Sequence, residues 1–193
     1  MLALGDSYTI GEGVTAEERW VSRLAELLQA RGVRLQPAMI VARTGWTTDE
    51  LLAAIDAADP RGPFDLVTLL IGVNDQYRGR TTDDFRPGFR TLLARAIAFA
   101  GDRVDRVLVL SIPDWSVTPF ARGRDAANIA AEIDAFNAVC RNETLAVGAS
   151  YVDITPISRT AADDAGLLAG DGLHPSGRMY AAWAELALGR VRV

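Results

Sequence analysis

Five short apolar runs, separated by segments of helical period, limit what this chain can fold into. The runs cover residues 2–4, 35–41, 66–71, 104–111 and 151–154, and each is nearly continuous in apolar side chains. Such runs are typical of parallel strands that are buried on both faces. Parallel neighbours need right-handed crossover connections, which the intervening helices supply. We therefore predict an α/β fold, a flavodoxin-like three-layer α/β/α sandwich around a five-stranded parallel sheet.

The segments between the runs carry helix signals. The Thr-x-x-Glu spacing of a capping box occurs at Thr15 and again at Thr47, each time before apolar residues at helical spacing. Three further helices are predicted over residues 83–100, 125–147 and 176–188. Because no internal repeat or linker interrupts this pattern, we interpret residues 1–193 as one domain.

Residue counts exclude several classes of chemistry. The chain has one cysteine, Cys140, and one histidine, His174, so it cannot form an intramolecular disulfide or a metal site built from several histidines or thiolates. All 20 basic residues are arginine, which excludes a P-loop lysine and Schiff-base chemistry. The sequence therefore predicts neither a metal site nor a cofactor.

Net charge and hydropathy argue against two classes of partner, nucleic acids and membranes. A net charge of -5 argues against a nucleic-acid partner, because phosphate binding needs a concentrated positive surface. No apolar run reaches the roughly 20 residues that span a bilayer, and we expect no signal peptide, because only four residues stand before the Gly5-Asp6-Ser7 motif. The expected location is cytoplasmic, with a trimmed export signal as the alternative.

Three residues near predicted strand ends form a candidate catalytic triad. In open parallel sheets, ligands bind at the carboxyl ends of the strands, where Ser7 follows the first run. A serine hydroxyl needs a nearby base, and His174 is the only imidazole in the chain. Asp171, three residues before it, is close enough to bond Nδ1 and leave Nε2 facing the serine. The sequence thus predicts a nucleophile, a base and an orienting acid.

The same sheet edge also supplies candidate donors for an oxyanion. They are the backbone N-H groups of Ser7 and Gly45 and the side-chain amide of Asn74, each just after a predicted strand. Glycine at position 45 allows close approach of the backbone.

These residues give the chain a strong resemblance to the SGNH hydrolases, also called the GDSL esterase/lipase family. Its four blocks contribute Ser, Gly, Asn and His in that order, which Ser7, Gly45, Asn74 and His174 match across nearly the whole chain. In one departure, Tyr8 stands where the family name implies leucine. The resemblance implies a cofactor-free serine esterase acting on a small-molecule ester of short or medium acyl chain.

Five large or polar side chains near the strand ends are candidates for substrate binding: Trp46, Gln76, Tyr77, Trp115 and Phe120. Together they would form an aromatic-lined cleft, although Trp115 and Phe120 could equally serve only to fix their own loop.

Three other residues are expected to have structural and not catalytic roles. Asp6 and Asp75 are expected to bond local backbone N-H groups in their loops. Cys140 lies on the apolar stripe of the helix predicted over residues 125–147 and is expected to be buried.

Other functions stay open at this point. The same site would serve an acyl-CoA thioesterase or an acyltransferase. An inactive relative that binds an acyl group or a saccharide, and a flavodoxin-like module that binds flavin or phosphate, are the non-enzymatic alternatives.

Overall fold

A five-stranded parallel sheet forms the centre of the computed structural model, which describes residues 1–192. The strands are β1 (Leu2–Gly5), β2 (Met39–Ala42), β3 (Val67–Leu70), β4 (Val107–Leu110) and β5 (Ser150–Val152). Their order across the sheet is β2-β1-β3-β4-β5, and every neighbouring pair is parallel. The predicted α/β class and the five-stranded parallel sheet are therefore confirmed.

Three strands begin or end at least two residues inside the predicted apolar runs. β2 starts only at Met39, because Pro37 has no backbone N-H with which to join the sheet. Before β4, residues 104–106 form a 3-10 turn. After β5, Ile154 has a helical backbone, with φ of -91° and ψ of -7°. The strand limits predicted at residues 35, 104 and 154 were therefore wrong.

Eight α-helices occur in the described part of the chain. They are α1 (Ser7–Ile10), α2 (Trp20–Ala30), α3 (Thr48–Ala58), α4 (Val73–Tyr77), α5 (Thr82–Phe99), α6 (Ala126–Ala146), α7 (Thr155–Arg159) and α8 (Gly177–Leu188). The short helices α1, α4 and α7 were not predicted, because one turn is too short to show an apolar period. Within residues 1–192, no helix has the length and apolar character needed to cross a membrane.

The helices form two layers, one on each face of the sheet. The chain moves one way across the sheet from β1 to β2 and the opposite way from β2 through β3 and β4 to β5. With right-handed crossovers, α2 therefore covers one face, and α3, α5 and α6 cover the other. α8 packs against α2, while α5 packs against both α3 and α6. The predicted three-layer sandwich is confirmed.

The core is formed by the sheet and the inner faces of the long helices. β1, β3 and β4 are buried along their whole length. Trp20 on α2 and Trp183 on α8 are fully buried and fill the space between these two helices and the sheet. The Trp20 indole N-H also donates to the Tyr8 carbonyl at 3.1 Å. This bond attaches α2 to the turn of helix that begins at Ser7.

Candidate active site

The register of three neighbouring strands brings their following loops together. Gly5, the last residue of β1, pairs with Ala42 on β2 and with Leu70 on β3. Because all three strands are parallel, the chain leaves the sheet at the same edge in each case. The loops after β1, β2 and β3 carry Ser7, Gly45 and Asn74 respectively.

Ser7 is the first residue of α1, directly after a tight exit from β1. The side chain of Asp6 caps this helix, because its Oδ1 accepts a 3.0 Å hydrogen bond from the Tyr8 N-H. A side chain at Gly5 would overlap both the Leu70 carbonyl and the Thr9 hydroxyl, so only glycine allows α1 to lie this close to β3. At the first helical position, the Ser7 N-H has no acceptor within the helix and is available to a ligand.

Asp171 and His174 form a tight turn that fixes the imidazole. Asp171 Oδ2 lies 2.6 Å from His174 Nδ1. The other carboxylate oxygen accepts hydrogen bonds of 2.9 Å from the Leu173 and His174 N-H groups. The His174 carbonyl in turn accepts a 2.7 Å bond from the Ala169 N-H. Both the ring and its backbone are therefore held in place.

The charge of Asp171 decides which imidazole nitrogen carries the proton. Partial burial alone would raise the pKa of this carboxyl, but hydrogen bonds from the His174 ring and from two backbone N-H groups more than offset it, so the pKa is lowered. An ionised carboxylate can only accept, so Nδ1 carries the hydrogen. Nε2 of His174 is then free to accept a proton.

Gly45 lies in a four-residue turn between β2 and α3. The Trp46 N-H donates to the Arg43 carbonyl at 3.3 Å, and Gly45, the third residue of the turn, has a φ of +85°. This positive φ is what a type II turn requires at that position, and it favours glycine. Nothing lies within 4 Å of the place where a Cβ would stand, so backbone conformation and not space selects glycine here.

Helix α4 holds the segment that follows this turn. The Asn74 side-chain amide donates a 2.9 Å hydrogen bond to the Trp46 carbonyl. The buried Asp75 carboxylate accepts from both the N-H (3.0 Å) and the hydroxyl (2.9 Å) of Thr48, the first residue of α3. The carbonyl of Trp46 takes only one of the two amide hydrogens of Asn74, so the other is free for a ligand.

The candidate catalytic residues line one pocket. It has a volume of about 160 Å³ and opens at the carboxyl edge of the sheet. Ser7, Gly45, Asn74 and His174 all contribute to its surface. The remaining lining residues are mostly apolar: Tyr8, Thr44, Val73, Tyr77, Trp115, Phe120 and Leu173. Asp171 lies behind the imidazole and does not line the pocket.

Three of the five predicted substrate-binding residues line this pocket, and two do not. Tyr77, Trp115 and Phe120 form an aromatic wall, with ring centroids 5.6 to 6.1 Å apart. Gln76 lies behind this wall, where its side-chain oxygen accepts a 2.9 Å bond from the Trp115 indole N-H. Trp46 packs on the core and offers its carbonyl to α4 instead.

Sequence reasoning missed Arg124, which lies on the outer side of the aromatic wall. Its guanidinium carbon is 4.9 Å from the centre of the Tyr77 ring, 5.4 Å from that of Trp115 and 5.6 Å from that of Phe120. It also donates a 2.9 Å hydrogen bond to the Tyr77 hydroxyl. The sequence around Arg124 does not indicate the contact with Tyr77, because Tyr77 lies on α4, 47 residues away along the chain.

Asp6 and Asp75, for which the sequence predicted structural roles, are both buried. Burial raises the pKa of Asp6 to about 8, although the bond from the Tyr8 N-H opposes this shift. Burial also raises the pKa of Asp75, against the lowering effect of the Thr48 bonds and the Arg80 charge. Asp6 bonds a local N-H group as expected, whereas the bonds of Asp75 reach Thr48, which is distant in the sequence.

Cys140 is buried, as its place on the apolar stripe predicted. It lies on α6, and burial raises the pKa of its thiol. Over residues 1–192, no three His, Cys, Asp or Glu side chains are grouped so that they could hold a metal ion.

With its central parallel sheet and two helical layers, the fold is that of the flavodoxin-like hydrolases. The model of the GDSL-like lipase/acylhydrolase family matches residues 3–182, so the chain belongs to this family of hydrolases that act on esters. No curated protein sequence matches the chain.

Solved structures with this fold cover nearly the whole chain at low identity. A GDSL-family lipolytic protein from Veillonella parvula is 18% identical, with a TM-score of 0.72 over 97% of this chain and 95% of its own. The psychrotrophic esterase EstA from Pseudoalteromonas sp. is 19% identical, with a TM-score of 0.69 over 96% of this chain and 92% of its own. A variant of Axe2, an acetyl-xylooligosaccharide esterase from Geobacillus, is 21% identical, with a TM-score of 0.70 over 100% of this chain and 95% of its own.

Proposed function

We propose that the chain is a serine esterase that hydrolyses small carboxylic esters through Ser7, His174 and Asp171. One observation carries the proposal: Ser7, Gly45, Asn74 and His174 line a single pocket, and the Asp171 carboxylate lies 2.6 Å from the opposite side of the imidazole. Membership of an acylhydrolase family supports the same reaction class. No cofactor is needed for this chemistry.

In the first half of the reaction, Ser7 Oγ attacks the carbonyl carbon of the ester while His174 Nε2 accepts the hydroxyl proton. The imidazolium that forms is stabilised by the Asp171 carboxylate. The Ser7 and Gly45 N-H groups and the Asn74 amide donate hydrogen bonds to the oxyanion of the tetrahedral intermediate. When that intermediate collapses, the alcohol leaves with the proton from Nε2 and the acyl group stays on Ser7.

In the second half, a water molecule attacks the acyl-enzyme. His174 Nε2 accepts a proton from this water, and the same three donors bind the second oxyanion. Collapse of this intermediate breaks the bond to Ser7, which regains its proton from Nε2. The carboxylic acid is released and the enzyme returns to its starting state.

The size and lining of the pocket support a short acyl group. Its volume of about 160 Å³ is below the roughly 300 to 1,000 Å³ of pockets that hold drug-sized ligands. The walls are mostly aromatic and aliphatic, which suits an apolar acyl chain. Acetyl and butyryl esters are therefore the expected substrates, in preference to long-chain lipids.

A fluorophosphonate tests the activated serine without knowledge of the natural substrate. We expect intact-mass analysis to show one adduct on the wild-type chain and none on Ser7→Ala, because only a serine activated by a neighbouring base reacts rapidly. Cys140 and the other serines serve as internal controls. A folded wild-type chain that gains no adduct would contradict the proposal and favour a binding protein.

An oxygen ester and a thioester with the same acyl group separate the esterase from the thioesterase interpretation. If p-nitrophenyl butyrate is turned over with a much higher kcat/KM than butyryl-CoA, the esterase function holds. The opposite order, or transfer of the acyl group to an added alcohol in place of water, would assign the site to a thioesterase or an acyltransferase.

A further inference from the structure

Arg78, the residue that follows α4, is bonded to the turn that carries Gly45. Its Nη2 donates a 2.7 Å hydrogen bond to the Gly45 carbonyl. This carbonyl belongs to the peptide group between Gly45 and Trp46. The candidate oxyanion donor, the Gly45 N-H, belongs to the preceding peptide group, on the other side of the same Cα. Arg78 therefore bonds the same residue that carries the candidate donor, but it does not line the pocket.

The guanidinium of Arg78 is itself oriented by Glu50 on α3. The Glu50 carboxylate lies 3.1 Å from Arg78 Nη2 and 3.3 Å from Nη1, so it faces both terminal nitrogens. The same carboxylate accepts a 2.9 Å bond from the Thr47 N-H, which completes the capping box at the start of α3. Glu50 is thus fixed by the helix cap, and through it Arg78 is fixed as well.

We propose that Arg78 is a positioning residue of the oxyanion hole. By bonding the Gly45 carbonyl, Arg78 fixes the backbone at Gly45 and thereby the direction of the Gly45 N-H. This inference rests on the proposed esterase function. Arg78 then affects turnover without contacting the substrate.

The need for such an anchor follows from the turn itself. Glycine has the least restricted backbone of any residue, so the peptides on both sides of Gly45 can rotate unless something holds them. The Asn74 amide holds the Trp46 carbonyl, which is one residue further on. The peptide group between Gly45 and Trp46 is held within the turn by the 3.3 Å bond from its N-H to the Arg43 carbonyl, and Arg78 adds the 2.7 Å bond to its carbonyl from outside the turn. A donor acts on an oxyanion only within about 2.7 to 3.1 Å, so a small rotation removes its effect.

The exposure of Arg78 indicates that its side chain contributes little to the stability of the fold. Its side chain is 47% exposed and its ion-pair partner Glu50 is 40% exposed. Exposed ion pairs of this kind contribute little to folding. Loss of Arg78 should therefore affect turnover far more than it affects stability.

The test compares three variants. Arg78→Met keeps the length of the side chain but removes the donor, and Arg78→Lys restores a donor in a different geometry. Arg23→Met is the matched control, because Arg23 is similarly exposed (40%) and is also paired with a glutamate, Glu26, and it does not line the pocket. For each variant, kcat and KM are measured on p-nitrophenyl acetate, together with the rate of phosphonylation and the melting temperature.

We expect Arg78→Met to lower kcat and the phosphonylation rate by about tenfold, since misplacement of a catalytic group by a fraction of an ångström has effects of this order. KM should change by less than about twofold, because substrate binding does not use the Gly45 carbonyl. Arg78→Lys should recover part of the loss, and Arg23→Met should match the wild type. The melting temperatures should agree within a few degrees.

Two results would overturn the inference: an unchanged kcat in Arg78→Met, or the same loss in Arg23→Met. If Arg78→Met fails to fold, Glu50→Gln is used, because glutamine preserves the capping box while removing the charge that orients Arg78. A kcat equal to that of the wild type in Glu50→Gln would then overturn it. Failure of the esterase proposal itself is seen separately, as a wild-type chain that is not labelled at Ser7.

Discussion

The Phe120 N-H donates a 3.2 Å hydrogen bond to the Gly172 carbonyl, which attaches the aromatic wall of the pocket to the turn that carries Asp171 and His174. Pro119 packs on the same glycine, where a Cβ would stand 3.3 Å away. The wall and the acid-base turn are therefore one packed unit. The side chain of Phe120 can be changed without breaking this backbone bond, which makes it a suitable position for altering the pocket alone.

Phe120→Ala should shift the acyl preference towards longer chains. Its ring is part of the pocket wall and is 42% exposed, so removing it widens the opening at small cost to stability. We expect the ratio of kcat/KM for octanoyl to butyryl esters to rise by about tenfold, as two or three extra methylenes become accommodated. Leu186→Ala, 40% exposed and outside the pocket, is the control and should leave the ratio unchanged.

Gly45→Ala should lower turnover through backbone conformation alone. The φ of +85° is unfavourable for alanine by about 1 to 2 kcal/mol, and no atom blocks the added methyl group. We expect the turn to relax and carry the N-H donor away, with a fall in kcat of about 10². Gly32 is a matched control, since it has the same φ and equally open space far from the site. Gly32→Ala should lose similar stability but no turnover, and equal kcat losses in both variants would contradict the role of Gly45.

Asp171→Asn should leave the turn intact and remove most activity. The asparagine oxygen can still accept from the Leu173 and His174 N-H groups, as Asp171 Oδ1 does. Its NH2 group would face Nδ1, however, and favour the tautomer in which Nε2 carries the hydrogen and cannot act as base. We expect kcat to fall by about 10³ to 10⁴ with a nearly unchanged melting temperature. Asp164→Asn, outside the pocket, should retain full turnover.

Asp6→Asn should change how stability depends on pH. The folded chain holds the pKa of Asp6 at about 8, above its ordinary value of 3.8. Between these values the unfolded chain releases a proton that the folded chain keeps, so the Asp6 contribution to stability falls as the pH rises. The unfolding free energy of Asp6→Asn relative to the wild type should therefore increase with pH, by up to about 1.4 kcal/mol per unit.

Urea denaturation at a series of pH values between 4 and 8 measures this difference. Asp163→Asn, an exposed substitution in a loop, is the control and should show a constant difference from the wild type. A constant difference for Asp6→Asn as well would mean that the buried carboxyl is already ionised throughout this range.

The sequence predicted the sheet and the grouping of Ser7, Gly45 and Asn74 for the same physical reason. Parallel strands end at one edge, so residues that follow them must meet, whatever the lengths of the connections. His174 could be added because it is the only imidazole in the chain. These inferences needed only the positions of apolar runs and polar residues.

Side-chain direction was harder to predict. Gln76 and Tyr77 are adjacent, but the short helix α4 turns Tyr77 towards the pocket and Gln76 towards Glu132 on α6, 2.6 Å away. A helix of five residues leaves no periodic signal, so both positions looked equivalent in the sequence. The contacts of Arg78 with the β2–α3 loop and of Arg124 with Tyr77 join segments that are far apart along the chain, and no local pattern indicates them.

The bonds from α4 to the β2–α3 loop also matter for protein engineering. Asn74, Asp75 and Arg78 each bond a different residue of the segment 45–48, so the helix and the loop form one exchangeable module. A chimera that imports the loop from a relative without its α4 would break three sets of bonds at once. Directed evolution should accordingly diversify the two segments together, and recombination breakpoints belong outside residues 43–80.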